Sequence, residues 1–410
     1  MTAMKKRLFP AVLSLLLLSA CVAAPAADAP PETAPAATPS VTPSIVEIIT
    51  PEPTPTPPTV ATLVVCGDAM AHGDLSRDSL NKETGEYDYS HLFAAAAPYA
   101  AAADYALCNL EAPLAGGEPS GYPRFSAADA MARNLKDAGF DLCLTANNHC
   151  LDKGYQGLTR TLDVLDGVGL AHVGTSRSQE EQDSGVVLAD VGGISVAFLG
   201  FTYGTNALPL PKDAPWAANI YNKDYLTTLA DPDYDYLLAQ LDHAKALKPD
   251  LVAVLIHWGT EYKLKENHYQ EEVADFLFEH GADLVLGGHP HVLQPMSFRT
   301  LPDGRQGFLS YSLGNFFSSQ TKPNTDVTAL LQLELTKDNN TGMTQVTGCS
   351  YVPMLMHRTE KRSGFALLDA YAALEETGDQ ALRDKLTGAI DLCRQVLGEE
   401  FDRKEQGPQP

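Results

Sequence analysis

Basic side chains are scarce in this chain of 410 residues: 29 lysines and arginines stand against 52 aspartates and glutamates, a formal charge of −23 at pH 7. That shortage excludes nucleic acid as an expected partner, because binding it relies on cationic side chains that neutralise phosphates. The chain also lacks an apolar run long enough to span a bilayer as a permanent helix, which takes roughly 20 residues. It has no Cys-x-x-Cys pair, so the usual spacing of a zinc or redox site is missing. No internal repeat of the kind that builds a solenoid is present either.

What is there begins at the N-terminus. Lys5-Lys6-Arg7, the largely apolar run Leu8 to Leu18, and then Leu18-Ser19-Ala20-Cys21 follow the layout of a secretory signal. The last four residues resemble the bacterial lipobox, in which small residues at 19 and 20 admit a peptidase to the bond before Cys21, whose thiol then carries lipid. The expectation is a signal peptide over 1–20 and an extracytoplasmic protein, lipid-anchored to the bacterial cell membrane through Cys21. Such an anchor draws on about 0.8 kcal/mol per buried methylene. An ordinary secretory signal with a chance cysteine is the plainer alternative.

From 21 to 60 the chain is dominated by Ala, Pro and Thr and ends in Pro51-Glu52-Pro53-Thr54-Pro55-Thr56-Pro57-Pro58. Proline at this density removes backbone donors, and too few apolar side chains remain to offset the entropy of ordering. The stretch is therefore expected to be a disordered or polyproline-like linker. At about 3.1 Å per residue when extended, it can hold a domain on the order of 100 Å from the membrane. Its one apolar patch, Ile45-Val46-Glu47-Ile48-Ile49, suits a short strand or a docking segment, although an isolated strand has nothing to pair with.

Beyond the linker, 61–360 is expected to be one large α/β domain with insertions, and 361–410 a C-terminal helical segment. Setting aside the first 60 residues, which hold three basic and four acidic side chains, leaves 26 basic against 48 acidic. A polyanionic substrate would be repelled by that field unless a local cationic site, such as a metal centre, offset it. Of the seven cysteines, six remain once Cys21 is set aside, and an even number in an exported protein permits disulfides without requiring them. Cys66, Cys108 and Cys143 lie in apolar runs that read as strands, where cysteine serves as a small buried hydrophobe, so mostly free thiols are expected.

Short apolar runs alternate with helical patterns along the domain. Strands are expected at Thr62–Cys66, Tyr105–Leu110, Asp141–Thr145, Ile194–Phe201, Leu251–Ile256 and Leu284–Leu286. Helices are expected at Leu92–Ala103, Ala127–Ala138, Gly157–Leu165, Tyr234–Ala246 and Val273–His280. Gly307–Leu313, Thr328–Leu335 and Gln345–Tyr351 then read as strands with no helix between them. Such alternation indicates βαβ units and a largely parallel sheet, with an antiparallel section added towards the C-terminal end.

Chemistry gathers where those strands end. Polar residues close apolar runs at Gly67-Asp68, Cys108-Asn109-Leu110-Glu111, Thr145-Ala146-Asn147-Asn148-His149, His257-Trp258-Gly259 and Gly288-His289-Pro290-His291. The strand C-termini of an open α/β sheet share one rim, where loops form the ligand crevice. Five strands would thus bring two carboxylates, three amides and four imidazoles together. Such donors suit a divalent metal, one or two ions of Mn, Fe or Zn, with geometry and availability deciding among them. Singly, the segments have ordinary explanations: Gly67-Asp68 a turn, Asn147-Asn148 a turn and helix cap, His257 a structural imidazole. His289-Pro290-His291 resists one, because two imidazoles so close in sequence are costly to bury unpaired and the proline fixes the path between them.

In order along the chain, Gly67-Asp68, Asn109-Leu110-Glu111, Ala146-Asn147-Asn148-His149 with Asp152 and Gly154, His257-Trp258-Gly259 with Glu261-Tyr262, Gly288-His289-Pro290-His291 with Gln294, and Tyr311-Ser312-Leu313-Gly314-Asn315-Phe316 complete the pattern. It resembles the CapA-like (poly-γ-glutamate capsule synthesis) family of the calcineurin-like metallophosphoesterase superfamily. The resemblance implies that superfamily's layered α/β sheet fold. Carried over by position, it implies Asp68 and His291 on one metal, Glu111 bridging, and Asn148, His257 and His289 on a second, with His149 beside the site as general acid. Two positions depart from the wider superfamily: Met70 stands where its first motif has a histidine, and Glu111 where a bridging aspartate is usual. Loss of a nitrogen ligand should weaken one metal site, for which His72 is close enough in sequence to substitute, and one metal rather than two is the resulting alternative.

The function implied is that of a surface metal-dependent, phosphoesterase-like hydrolase or transferase in the synthesis or attachment of an anionic capsule polymer such as poly-γ-glutamate. Its partners would be a cell-envelope polymer or its precursor, the membrane through the lipid anchor, and capsule assembly proteins. A non-catalytic component of a polymer export or assembly complex is the alternative, which Met70 favours. His149 favours an enzyme, since a general acid has no use in a purely structural site. A substrate-binding lipoprotein would share the anchor and linker but gives no reason for His289-Pro290-His291.

Overall fold

The structure, a computed structural model, describes residues 55–359, 361 and 363–404. The expected signal peptide, Cys21, the linker up to residue 54 and the Ile45–Ile49 patch lie outside the described residues.

The described strands build two mixed sheets. The first runs in the order β13 (Ala366–Asp369), β12 (Thr344–His357), β11 (Val327–Lys337), β1 (Thr59–Ala69), β2 (Tyr105–Leu110), β3 (Leu142–Leu144) and β4 (Ala171–Val173). The second runs β5 (Val187–Val191), β6 (Ile194–Thr202), β7 (Leu251–His257), β8 (Leu284–Gly288), β10 (Gln306–Leu313) and β9 (Leu293–Thr300). β1 to β4 are parallel, as are β6, β7, β8 and β10. β11, β12 and β13, and the edge strands β5 and β9, pair antiparallel. The layered α/β fold is as expected, and the parallel strands and antiparallel section read from the alternation are divided between two sheets. An apolar run shows that a strand is buried on both faces, but not which sheet it joins.

Successive side chains of a strand point to opposite faces, and that alternation assembles the layers. Ala61, Leu63 and Val65 of β1 meet Leu251, Ala253 and Leu255 of β7 in one core between the sheets. Val64 and Cys66 instead join the layer containing Leu75, Met131 and Leu135, from helices at Gly73–Asp78 and Ala130–Asp137. Val252, Val254 and Ile256 join Leu237, Leu241, Val273 and Leu277, from helices at Tyr234–Ala246 and His268–Glu279. The result is helices, sheet, sheet, helices, with each fully buried Leu or Val contributing about 1.5–3 kcal/mol.

Several element boundaries differ from expectation for local reasons. The helix expected over Leu92–Ala103 is a 3-10 turn at Ser90–Leu92 followed by a helix at Ala97–Ala102, because Pro98 is tolerated in a first turn and not in a helix interior. The helix expected from Val273 begins a turn earlier, at His268, where Asn267 and Gln270 form a capping box. Residues beyond 360 supply helices at Ala370–Glu376 and Gln380–Leu397, but also β13. Leu386, Ala389, Ile390 and Cys393 enter the core between the sheets, so this segment closes the domain. Cys66, Cys108, Cys143, Cys150 and Cys393 are buried free thiols, and Cys349 is buried as well. Among the described residues no helix is long and apolar enough to cross a membrane.

Candidate metal centre

The polar strand ends converge. Asp68 stands at the end of β1, Glu111 follows β2, Asn147-Asn148-His149 follow β3, His257 ends β7, and His289 follows β8. The one rim expected for them is a seam, since three of these strands belong to the first sheet and two to the second. The core that presses the sheets together therefore also sets distances across the site. Glycine permits the closest approach: a Cβ on Gly288 would lie 2.5 Å from Asp68 Oδ1. The two histidines that follow it turn in left-handed backbone, with φ 99° at His289 and 59° at His291. Such conformations cost of order 1–3 kcal/mol in non-glycine residues and concentrate at functional sites.

Asp68, Glu111, Asn148, His257, His289 and His291 are all buried. Asp68 Oδ1 accepts a hydrogen bond from Asn109 Nδ2 at 2.8 Å, and Oδ2 accepts one from the His289 backbone N–H at 3.0 Å. Oδ2 is also 3.4 Å from His291 Nδ1. Glu111 Oε1 lies 3.5 Å from His257 Nε2 and 4.0 Å from His291 Nε2, yet neither carboxylate oxygen has a hydrogen-bond partner. His289 Nδ1 is likewise unpartnered. His257 Nε2 faces Asn148 Oδ1 at 3.0 Å, and its Nδ1 faces Asn109 Nδ2 at 3.1 Å.

Burial pushes the Asp68 carboxyl up, but the hydrogen bonds from His291 and Asn109 and the charges of His257 and His291 outweigh it and hold it below the usual carboxylate range. Burial, and then the neighbouring imidazoles, hold His289 well below the ordinary imidazole value, which leaves it neutral with a lone pair to donate. Burial acts in the same direction on His291, but the Glu111 and Asp68 carboxylates overcome it and bring it up to about 9.

These residues fit a divalent cation. A carboxylate buried without partners is costly, and a cation would satisfy both Glu111 oxygens and His289 Nδ1. Donor atoms of Glu111, His289 and His291, and those of Asp68, Glu111 and His257, lie within 4.8 Å of one another. Metal–nitrogen and metal–oxygen bonds are about 2.0–2.2 Å, so side-chain adjustments of the order of an ångström close either set. Glu111 is common to both, as a bridging residue must be. The sets group His289 with His291 and His257 with Asp68, a different partition from the one the resemblance implies, although His291 does approach Asp68.

His72 belongs to neither set. Its ring packs edge-on against Phe125 with centres 5.0 Å apart, its Nδ1 is 3.4 Å from the Met70 carbonyl oxygen, and burial holds it down at about 4. Met70 is buried in an apolar layer with Leu75 and Phe125.

His149 is held differently. Its Nδ1 is 2.7 Å from Asp152 Oδ2, which also accepts the Phe125 backbone N–H at 2.7 Å, while Oδ1 is 3.5 Å from the Arg124 guanidinium. A carboxylate can only accept, so Nδ1 carries the proton and Nε2 is the nitrogen open to proton transfer. Asp152 is legible in the sequence only as part of the motif around His149. Tyr203 and Asn206 carry no sequence signal. The Tyr203 ring covers His257 and His289, with centres 6.1 and 4.6 Å apart, and Asn206 Oδ1 accepts a hydrogen bond from Asn148 Nδ2 at 3.1 Å.

Fold and site together define a layered α/β protein with a buried carboxylate–imidazole centre suited to a divalent cation, beside a histidine held by a carboxylate. The comparison with known proteins then places it: the chain belongs to the bacterial capsule synthesis protein PGA_cap family, whose family model matches residues 62–320. It is 33% identical over 294 residues to the capsule biosynthesis protein CapA of Bacillus anthracis, covering 70% of this chain and 66% of that one. It is 31% identical over 275 residues to the PGA biosynthesis protein CapA of Bacillus subtilis (strain 168), covering 65% of this chain and 67% of that one. The chain thus spans about two-thirds of the length of these relatives. Among solved structures it is similar to a novel phosphatase from Mycoplasma pneumoniae, at 14% identity over 72% of this chain and 94% of that one, with a TM-score of 0.40.

Proposed function

We propose that this protein is a surface metal-dependent, phosphoesterase-like hydrolase or transferase that acts in the synthesis or attachment of an anionic capsule polymer such as poly-γ-glutamate. The observation that carries the reading is Glu111, a fully buried carboxylate with both oxygens unpaired beside His257 and His291. The similarity to the capsule biosynthesis and PGA biosynthesis proteins of Bacillus supports the polymer pathway. The acidic excess of the chain supports a cation at the site, since an anionic substrate would otherwise meet a repulsive field.

A divalent cation, one or two ions of Mn, Fe or Zn, held by Asp68, Glu111, Asn148, His257, His289 and His291 would supply positive charge and polarise a phosphoryl oxygen. Asn109 and the His289 N–H aim the Asp68 carboxylate. His149 acts as general acid: Asp152 keeps the proton on Nδ1 and stabilises the imidazolium, and the Nε2 proton passes to the departing oxygen. Lipid on Cys21 would anchor the protein outside the cytoplasm, with the linker giving reach to the polymer or its precursor and to capsule assembly proteins.

One observation favours a second reading. Met70 is part of an apolar layer and offers the centre no ligand, which suits a non-catalytic component of a polymer export or assembly complex that retains metal for stability. Metal analysis of the purified protein with a phosphoester activity panel separates the two. Bound metal with turnover supports the enzyme, bound metal without turnover on any phosphoester supports the assembly component, and a metal-free protein without turnover removes the first reading.

A further inference from the structure

We propose that Asn206 is a positioning residue that turns the Asn148 amide so that its oxygen, and not its nitrogen, faces the metal centre; this rests on the metal reading above. An asparagine side chain ligates a cation through its carbonyl oxygen, and the two ends of the amide are nearly the same shape, so a neighbour must set the choice. Asn148 Nδ2 donates to Asn206 Oδ1 at 3.1 Å. With its Nδ2 turned to Asn206, Asn148 presents Oδ1 to His257 Nε2 at 3.0 Å. Turning the amide over would set two acceptors, Asn148 Oδ1 and Asn206 Oδ1, against each other and put an NH2 group into a cluster meant for a cation.

The backbone is shaped to deliver that acceptor. Thr205 to Leu208 form a turn closed by the Leu208 N–H donating to the Thr205 carbonyl at 3.0 Å, with φ 51° at Asn206 and 58° at Ala207. Two left-handed central residues in succession mark a turn in which asparagine is among the favoured non-glycine residues. The segment is tied to the site from its other end. The Tyr203 N–H donates to the His257 carbonyl at 2.9 Å, and Thr202 Oγ1 donates to the Gly204 carbonyl at 3.0 Å. One short stretch therefore holds the end of β7 and reaches across the seam to the loop after β3.

The other contact of Asn206, Nδ2 at 3.4 Å from His149 Nδ1, adds no hydrogen bond. Asp152 takes the Nδ1 proton, so two donors face each other there, and what Asn206 supplies to the centre is its oxygen.

The test is a Mn2+ titration of the purified protein, free Mn2+ being read by electron paramagnetic resonance, with Asn206→Gly and Asn206→Asp beside the wild type. Glycine keeps the left-handed turn and removes the acceptor, whereas aspartate keeps an acceptor on the same backbone. Orienting residues around metal ligands are typically worth 10- to 100-fold in affinity, so Asn206→Gly should bind Mn2+ about 10- to 100-fold more weakly, with Asn206→Asp within a few-fold of wild type or tighter. If Asn206→Gly does not fold, Asn206→Ala serves for the same comparison and should show the same loss. Wild-type affinity in the variant without an acceptor, or equal losses with and without one, would overturn the inference. A wild-type protein that binds none of Mn2+, Fe2+ and Zn2+ would overturn the metal reading and this inference with it.

Discussion

Glu111 and His257 come from different sheets, the first just after β2 and the second ending β7, yet Glu111 Oε1 and His257 Nε2 lie 3.5 Å apart with both side chains fully buried. The apolar layer between the sheets holds this pair together and supplies the burial that a lone carboxylate would not find on its own. Burying Glu111 with both oxygens unpartnered costs local stability, a cost that a cation at this centre would offset.

Metal should therefore stabilise the fold through Glu111. With Mn2+ at about 100 times its Kd, linkage adds about 2.7 kcal/mol to wild-type unfolding. Glu111→Gln, which keeps the shape and removes the charge, should show little of that increment at the same Mn2+ concentration. Denaturant unfolding with and without Mn2+ measures it, and an undiminished increment in the variant would take Glu111 out of the centre.

His149→Ala should keep its metal and lose turnover by about 10²- to 10⁴-fold, the usual worth of a positioned general acid. The loss should shrink for a nitrophenyl ester, whose oxygen departs without a proton, and remain for an alkyl phosphate. Equal losses on both esters would argue against proton donation, and loss of metal would place His149 among the ligands.

The strand ends bearing Asp68, Glu111, His257 and His289 are legible in the sequence because each apolar run breaks on a polar residue. Sheet membership is not. β7 is buried throughout and β1 from Leu63 onward although they lie in different sheets, because alternation reports burial and not neighbours. The edge strands β5 and β9 are only partly buried, and β4 has three residues, so none gives an apolar run to read. Tyr203 and Asn206 lie in a long connection before the helix at Tyr234, and their places follow from a turn and a contact across the seam that no local pattern records.

At the N-terminus, Cys21→Ala should leave the protein without lipid, as the Leu18-Ser19-Ala20-Cys21 segment implies. Growth with radiolabelled fatty acid reads this directly: label on the wild type and none on the variant is expected. Label persisting on Cys21→Ala would refute the anchor.

The most direct measurement is the metal content of the purified protein by elemental mass spectrometry, for the wild type, His289→Ala and His291→Ala. One or two equivalents of Mn, Fe or Zn should accompany the wild type, with each variant holding clearly less, because both imidazoles are taken as ligands. A wild type that carries no divalent metal after incubation with Mn, Fe and Zn, or variants with unchanged content, would contradict a metal centre built on these residues.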